Sequence, residues 1–176
     1  EFEMMMKKIE FMLIGKGERK VNVEHIFPET MQSQLVLLSK AGLKFKALDL
    51  VKRYSGFAHF HETPSSLRDS MIFGVVGYEE RYLEEYAKAY YSHDDATQGR
   101  LLGYPECDID FFVNVWKQKE FDPIKAIANN TCNCDKVEGD PLLNILLRYA
   151  GIRIIPFIPH SFTCNNAIKF AELVID

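Results

Sequence analysis

The spacing of apolar positions changes along this chain, giving a first half rich in strand patterns and a second half rich in helical ones. Near the start, Lys8–Ile14 and Arg19–Val23 flank Gly15-Lys-Gly17, and the two runs predict a pair of strands around a glycine turn. Pro28-Glu-Thr30 then opens Met31–Ala41, where Met31, Leu35 and Leu38 share one helical face and Gly42 stands where a helix C-terminal glycine belongs. Leu43–Leu50, Phe57–His61 and Ser70–Val76 are short runs that predict strands, the last β-branched and aromatic enough to be buried. From Glu79 to Tyr91, Tyr82, Leu83, Tyr86 and Tyr90 recur at helical spacing, with acids near the start and Lys88 later.

Beyond Tyr91 the patterns are mainly helical. Ile109, Phe112, Val113 and Trp116 follow i, i+3, i+4, i+7 behind Pro105, a residue suited to a first helical turn, which places Cys107 in that turn. Asp140-Pro141 opens a segment, apolar almost all round, that runs to Tyr149 and stops at Gly151, the pattern of a buried helix. Ile152–Ile158 predicts a strand that Pro156 confines to an edge or ends early. A last helix starts at Thr163 and buries Ala167, Phe170, Ala171 and Val174. The fold class expected is α+β: a small, mainly antiparallel sheet packed by helices mostly from the C-terminal half. No internal repeat or low-complexity tract breaks the chain.

With 176 residues and 47% hydrophobic content, one substantial core and a single domain over 4–176 are expected; Glu1-Phe-Glu before three methionines reads as a cloning remnant. The net charge of −4 argues against nucleic acid and anionic membranes as broad partners. No apolar run reaches the roughly 18–20 residues of a membrane span, and no secretory leader pattern is present, so a soluble cytoplasmic protein is expected. Four cysteines in a chain with an ample core point to free thiols, a metal or a redox pair before a disulfide framework. Homo-oligomerisation through exposed aromatic surface is a further partner class, on which the pattern is silent.

Candidate chemistry gathers in the second half. Cys107 and Cys164 each stand where a helix begins, and a helix N-terminus favours a thiolate. His160-x3-Cys164 has the spacing of a zinc ligand pair, Cys132-Asn-Cys134 is tighter than the usual C-x2-C pair, and Cys107 stands alone, so these five residues are candidate metal ligands with zinc the candidate ion. The leading functional reading is an enzyme or small-ligand-binding protein in which Cys107 is the nucleophile and His160 its base or acid, and a non-enzymatic module with structural zinc or buried thiols is the alternative. Arg100, Gly103, Tyr104 and Pro105 then form a turn able to hold a polar ligand. Glu106, Asp108 and Asp110 surround Cys107 with negative charge, which opposes thiolate formation unless Arg100 folds back. A reversible disulfide, Cys132 to Cys134 or Cys107 to Cys164, is the third arrangement, and buried thiols that merely pack are the plainest. The residues fix no reaction class.

Weaker candidates have ordinary explanations. His59 and His61 share a strand face as metal ligands do, and as half-exposed strand residues do. Gly74-Val-Val-Gly77 lacks the remainder of a phosphate-binding motif and reads as a tight turn. His93-Asp94-Asp95 reads as a solvated helix end, and the tyrosine stripe, set among Glu79, Glu80, Glu84 and Glu85, as core packing.

Over roughly residues 80–176, Leu101-Leu-Gly-Tyr-Pro-Glu-Cys107 through Phe112 and Pro159-His160 through Ile168 resemble an archaeal family of small proteins of unknown function that has more distant bacterial relatives. The resemblance implies that Gly103, Tyr104, Pro105, Cys107, His160 and Cys164 occupy motif positions of that family. Its members often carry a second cysteine directly after the first and a proline-cysteine pair in the histidine segment. This chain has Asp108 and Phe162-Thr163 there, departures that count against a shared metal site.

Overall fold

The computed structural model describes residues 2–53, 62–117, 123–131, 137–150 and 154–175. Their backbone groups into two compact units, Glu1–Asp94 and Asp95–Asp176. The class is α+β, with seven α-helices and one three-stranded antiparallel sheet among the described residues.

The first unit opens with helix α1 (Phe2–Gly15) and continues with strand β1 (Asn22–Ile26), helix α2 (Met31–Lys40), strands β2 (Lys44–Lys52) and β3 (Ser70–Gly77) and helix α3 (Glu80–Tyr91). Residues 8–14 are therefore helix and not the first strand of a hairpin. The run of Lys, Ile, Glu, Phe, Met and Leu is mostly unbranched and helix-favouring, and it ends a helix that begins within residues set aside as a cloning remnant. Seven residues seen alone are too few to separate the two periods. Leu13 and Ile14 of α1 are buried.

The strand order is β1-β3-β2, with Asn22 opposite Val76 on one side of β3 and Lys44 opposite Gly77 on the other. β3 is central and buried through nearly its whole length, which explains its uninterrupted apolar run. Gly74, expected in a tight turn, lies inside this strand. A Cβ there would overlap the Phe45 ring and stand 2.6 Å from the Lys46 carbonyl oxygen, so the glycine serves close packing and not a phosphate. The β2–β3 register slips between Ala47 and Asp49, and the buried Leu48 occupies the bulge. α3 buries Leu83, Tyr86, Ala87 and Ala89. Its acids Glu80 and Glu84 pair with Lys44 and Lys46 of β2 at 3.0 and 2.8 Å. Of the tyrosines, Tyr86 is buried, Tyr82 and Tyr90 are half-buried, the latter against Phe73, and Tyr91 is exposed, so the stripe is core only in part. The helices in contact with the sheet within this unit are α1, α2 and α3. The strand expected over 57–61, with His59 and His61, lies outside the described residues.

The second unit is helical among its described residues. Helix α4 (Asp95–Leu101) is followed by α5 (Glu106–Phe111), which widens into a π-helical turn over Phe112–Trp116, and by α6 (Pro123–Thr131), a helix the sequence reading does not assign. Where one buried helix is expected over 141–149, there are two 3-10 segments, Pro141–Leu143 and Ile145–Ala150. The break is Asn144, whose extended backbone lets its own side-chain oxygen accept from the Leu146 N–H, a local bond that competes with helix continuation. The expected strand over 152–158 is likewise not formed at 154–158, where Pro156 removes a ladder donor. Helix α7 (Asn165–Ile175) starts two residues after Thr163, with Cys164 as its cap, and buries Ala167, Phe170 and Ala171 while Val174 is half-buried. Among the described residues no helix is long and apolar enough to cross a membrane.

Candidate functional site

The turn between α4 and α5 sets one wall of the site. α4 ends with the Gly103 N–H bonded to the Arg100 carbonyl and the Tyr104 N–H to the Gly99 carbonyl, each at 3.0 Å, and Gly103 has φ +74°. This paired closure requires the left-handed conformation that glycine adopts without cost. The Tyr104 ring lies against Phe157 with centroids 5.1 Å apart. The Pro105 carbonyl accepts from the N–H groups of Asp108 and Ile109, each at 3.0 Å, and so starts α5. Gly103, Tyr104 and Pro105, read from sequence as candidate ligand-binding residues, thus build the corner that presents Cys107 and Asp108. Arg100 pairs with the exposed Glu106. The guanidinium holds the Glu106 carboxyl below its ordinary range.

The segment ahead of α7 sets the opposite wall. The Thr131 hydroxyl at the end of α6 accepts from the Phe162 N–H at 2.8 Å, and the Asn130 side-chain amide donates to the His160 carbonyl at 3.0 Å. The Asp140 N–H donates to the Phe162 carbonyl at 2.8 Å. Buried Ser161 links Thr131 and Thr163 through its hydroxyl, at 3.3 and 2.9 Å. Two prolines and no regular element make this stretch, yet its backbone polar groups are met from three sides, as a fixed loop requires.

These walls bring four side chains together. Donor atoms of Cys107, Asp108, His160 and Cys164 all lie within 4.8 Å of one another, with Asp108 and Cys164 buried and the other two half-buried. The two Sγ atoms are 3.6 Å apart. Asp108 Oδ1 accepts from the His160 backbone N–H and meets the His160 Nδ1, both at 2.7 Å. Asp108 Oδ2 is buried with no hydrogen-bond partner, on a side chain only 1% exposed. Each sulfur meets an N–H from the start of α7: Ala167 N donates to Cys164 Sγ at 3.5 Å, and the Asn166 side-chain amide to Cys107 Sγ at 3.7 Å.

The electrostatics follow from burial. Burial pushes the Asp108 carboxyl above its ordinary range against the pull of its bonds to His160. Burial first, and the Asp108 charge second, push the Cys107 thiol up to about 11. The negative charge read from sequence as adverse to a thiolate thus acts through Asp108, and the partner of Arg100 is Glu106. Of the five candidate ligands, Cys107, His160 and Cys164 meet in space, while Cys132 and Cys134 lie outside the described residues. Sequence reasoning missed Asp108 as a member of the site. Its one available signal was its place directly after Cys107.

No family model matches the chain, and no match was found among curated proteins or solved structures. The chemistry of the site therefore rests on its own geometry.

Proposed function

We propose that this protein binds a transition metal, with zinc the ion that fits, through Cys107, Cys164, His160 and Asp108. The observation that carries the reading is the buried, unpartnered Asp108 Oδ2 beside two thiols and an imidazole. An orphaned carboxylate oxygen in the interior costs free energy that a cation would recover. A tetrahedral ion with Zn–S bonds of about 2.3 Å separates two sulfurs by about 3.8 Å, close to the 3.6 Å found here. The N–H groups aimed at both sulfurs favour thiolates, and a bound cation would reverse the burial and charge that keep Cys107 protonated. A bound ion would be held by the two sulfurs as thiolates, by the His160 imidazole and by the Asp108 carboxylate. Such a site needs reduced cysteines, which fits the cytoplasm.

Elemental analysis of the full chain, purified without chelator and dialysed against micromolar zinc, tests this. One zinc per chain is expected, and Cys107→Ser and Cys164→Ser should each reduce it; a wild-type chain that retains no zinc overturns the proposal.

The second reading makes Cys107 a nucleophile. The Asp108–His160 contact at 2.7 Å favours it, because a carboxylate orienting an imidazole is the support a catalytic base uses. Against it stands the Cys107 thiol at about 11. Rapid alkylation of Cys107 at neutral pH in metal-free protein would support this reading over the first.

A further inference from the structure

We infer that Cys107 and Cys164 form a reversible disulfide on meeting a small-molecule disulfide such as oxidised glutathione, and that this oxidation empties the metal site. The second half rests on the metal reading; the first does not. The sulfurs are 3.6 Å apart, and a disulfide needs about 2.0 Å, a closure within reach of side-chain rotation.

The two cysteines are unequal in a way that orders the chemistry. Cys164 is buried at the cap of α7 with its sulfur held by the Ala167 N–H. Cys107 is half-buried, and its sulfur touches the exposed Asn166 amide, so a dissolved disulfide reaches Cys107 first. Cys107 sulfur attacks one sulfur of the oxidant, the S–S bond of the oxidant breaks, and one small thiol leaves, carrying the proton when Cys107 started as a thiol. Cys164 sulfur then attacks the Cys107 sulfur of the mixed disulfide and expels the second small thiolate; each expelled thiolate takes the proton its attacking cysteine gives up, or one from water where that cysteine started as a thiolate. The protein loses two electrons and the oxidant gains them, ending as two thiols. Neither sulfur of the new bond remains a thiolate, so the ion loses two of its four donors and leaves as a free cation.

Asp108 and His160 bond to each other and to neither sulfur, so the loop that holds Cys164 keeps its anchor in both states. The cysteines lie 57 positions apart, so the bridge also ties together distant parts of the second unit.

The test incubates the zinc-loaded full chain with oxidised glutathione, follows zinc with a chromophoric chelator, and maps cysteine linkages by mass spectrometry after digestion. The expected result is a cross-linked peptide pair joining Cys107 to Cys164, two hydrogens lighter than the free peptides, with one zinc released per link and both changes reversed by dithiothreitol. In Cys164→Ser, a stable glutathione adduct at Cys107 is expected. A linkage through Cys132 or Cys134, or an adduct at Cys107 that wild-type Cys164 leaves unresolved, overturns the inference. Zinc held with no link formed overturns the inference and leaves the metal reading standing. A Cys107–Cys164 link in a chain that never held zinc upholds the disulfide and overturns both its coupling to the metal and the metal reading.

Discussion

One carboxylate oxygen of Asp108 holds His160 twice, at its backbone nitrogen and at ring Nδ1, both at 2.7 Å, while the other oxygen lies buried without a partner. The same residue therefore fixes the imidazole and leaves a donor free beside two thiols. Asp108→Asn removes the charge and leaves a single acceptor oxygen, which cannot both hold the His160 N–H and face the two thiols. Zinc affinity, measured by competition with a chromophoric chelator, should fall by about 10- to 100-fold or more; an unchanged affinity would remove Asp108 from the site.

Thr131 reaches the site through its backbone. Its hydroxyl accepts from Phe162 N–H at 2.8 Å, two residues beyond His160. Thr131→Val leaves that partly buried donor unmet and should cost about 1–3 kcal/mol in denaturant unfolding. Thr131→Ser keeps the acceptor and should recover most of the loss; a Thr131→Val variant as stable as the wild type would show that the hydroxyl does not matter.

In the first unit, Gly74 sits where β3 passes beneath Phe45, with no room for a side chain. Gly74→Ala should destabilise by about 1–3 kcal/mol through forced backbone displacement. Adding Phe45→Ala should restore only part of this, because the Lys46 carbonyl oxygen would still lie 2.6 Å from the new Cβ. Full recovery in the double variant would place the whole conflict in the ring.

Tyr90 gives the first unit a pH dependence. Burial, and then the nearby Asp49 charge, raise its phenol to about 12, and its hydroxyl meets Asp49 at 3.2 Å. An acid raised in the folded state contributes stability that is full below its unfolded pKa of about 10. That contribution is lost as pH rises through about 12. Thermal melts between these limits should fall with pH in the wild type and fall less in Tyr90→Phe; parallel curves would contradict the assignment.

What the sequence made legible follows from physical range. α2, α3 and α7 were readable because each carries a sustained 3.6-residue stripe with a glycine, proline or polar start, all local quantities. α1 is not legible because the seven residues from Lys8 to Ile14 fit a strand and a helix alike, and 141–150 is not because one asparagine bond outweighs an apolar pattern. Cys107, His160 and Cys164 were legible as donor types, with Gly103 and Pro105 marking the corner. Asp108 was not, because its role depends on a residue 52 positions away, whose backbone N–H it meets, and sequence spacing carries no trace of that contact. Thr131 and Ser161 escaped for the same reason, as they act on a loop without periodicity.

The most direct test of the account is the first coordination shell of zinc in the loaded full chain, read by X-ray absorption at the zinc edge. Two sulfurs at about 2.3 Å and two nitrogen or oxygen donors at about 2.0–2.2 Å are predicted, from Cys107, Cys164, His160 and Asp108. A shell without sulfur, or one unchanged in Cys107→Ser and Cys164→Ser, would contradict it.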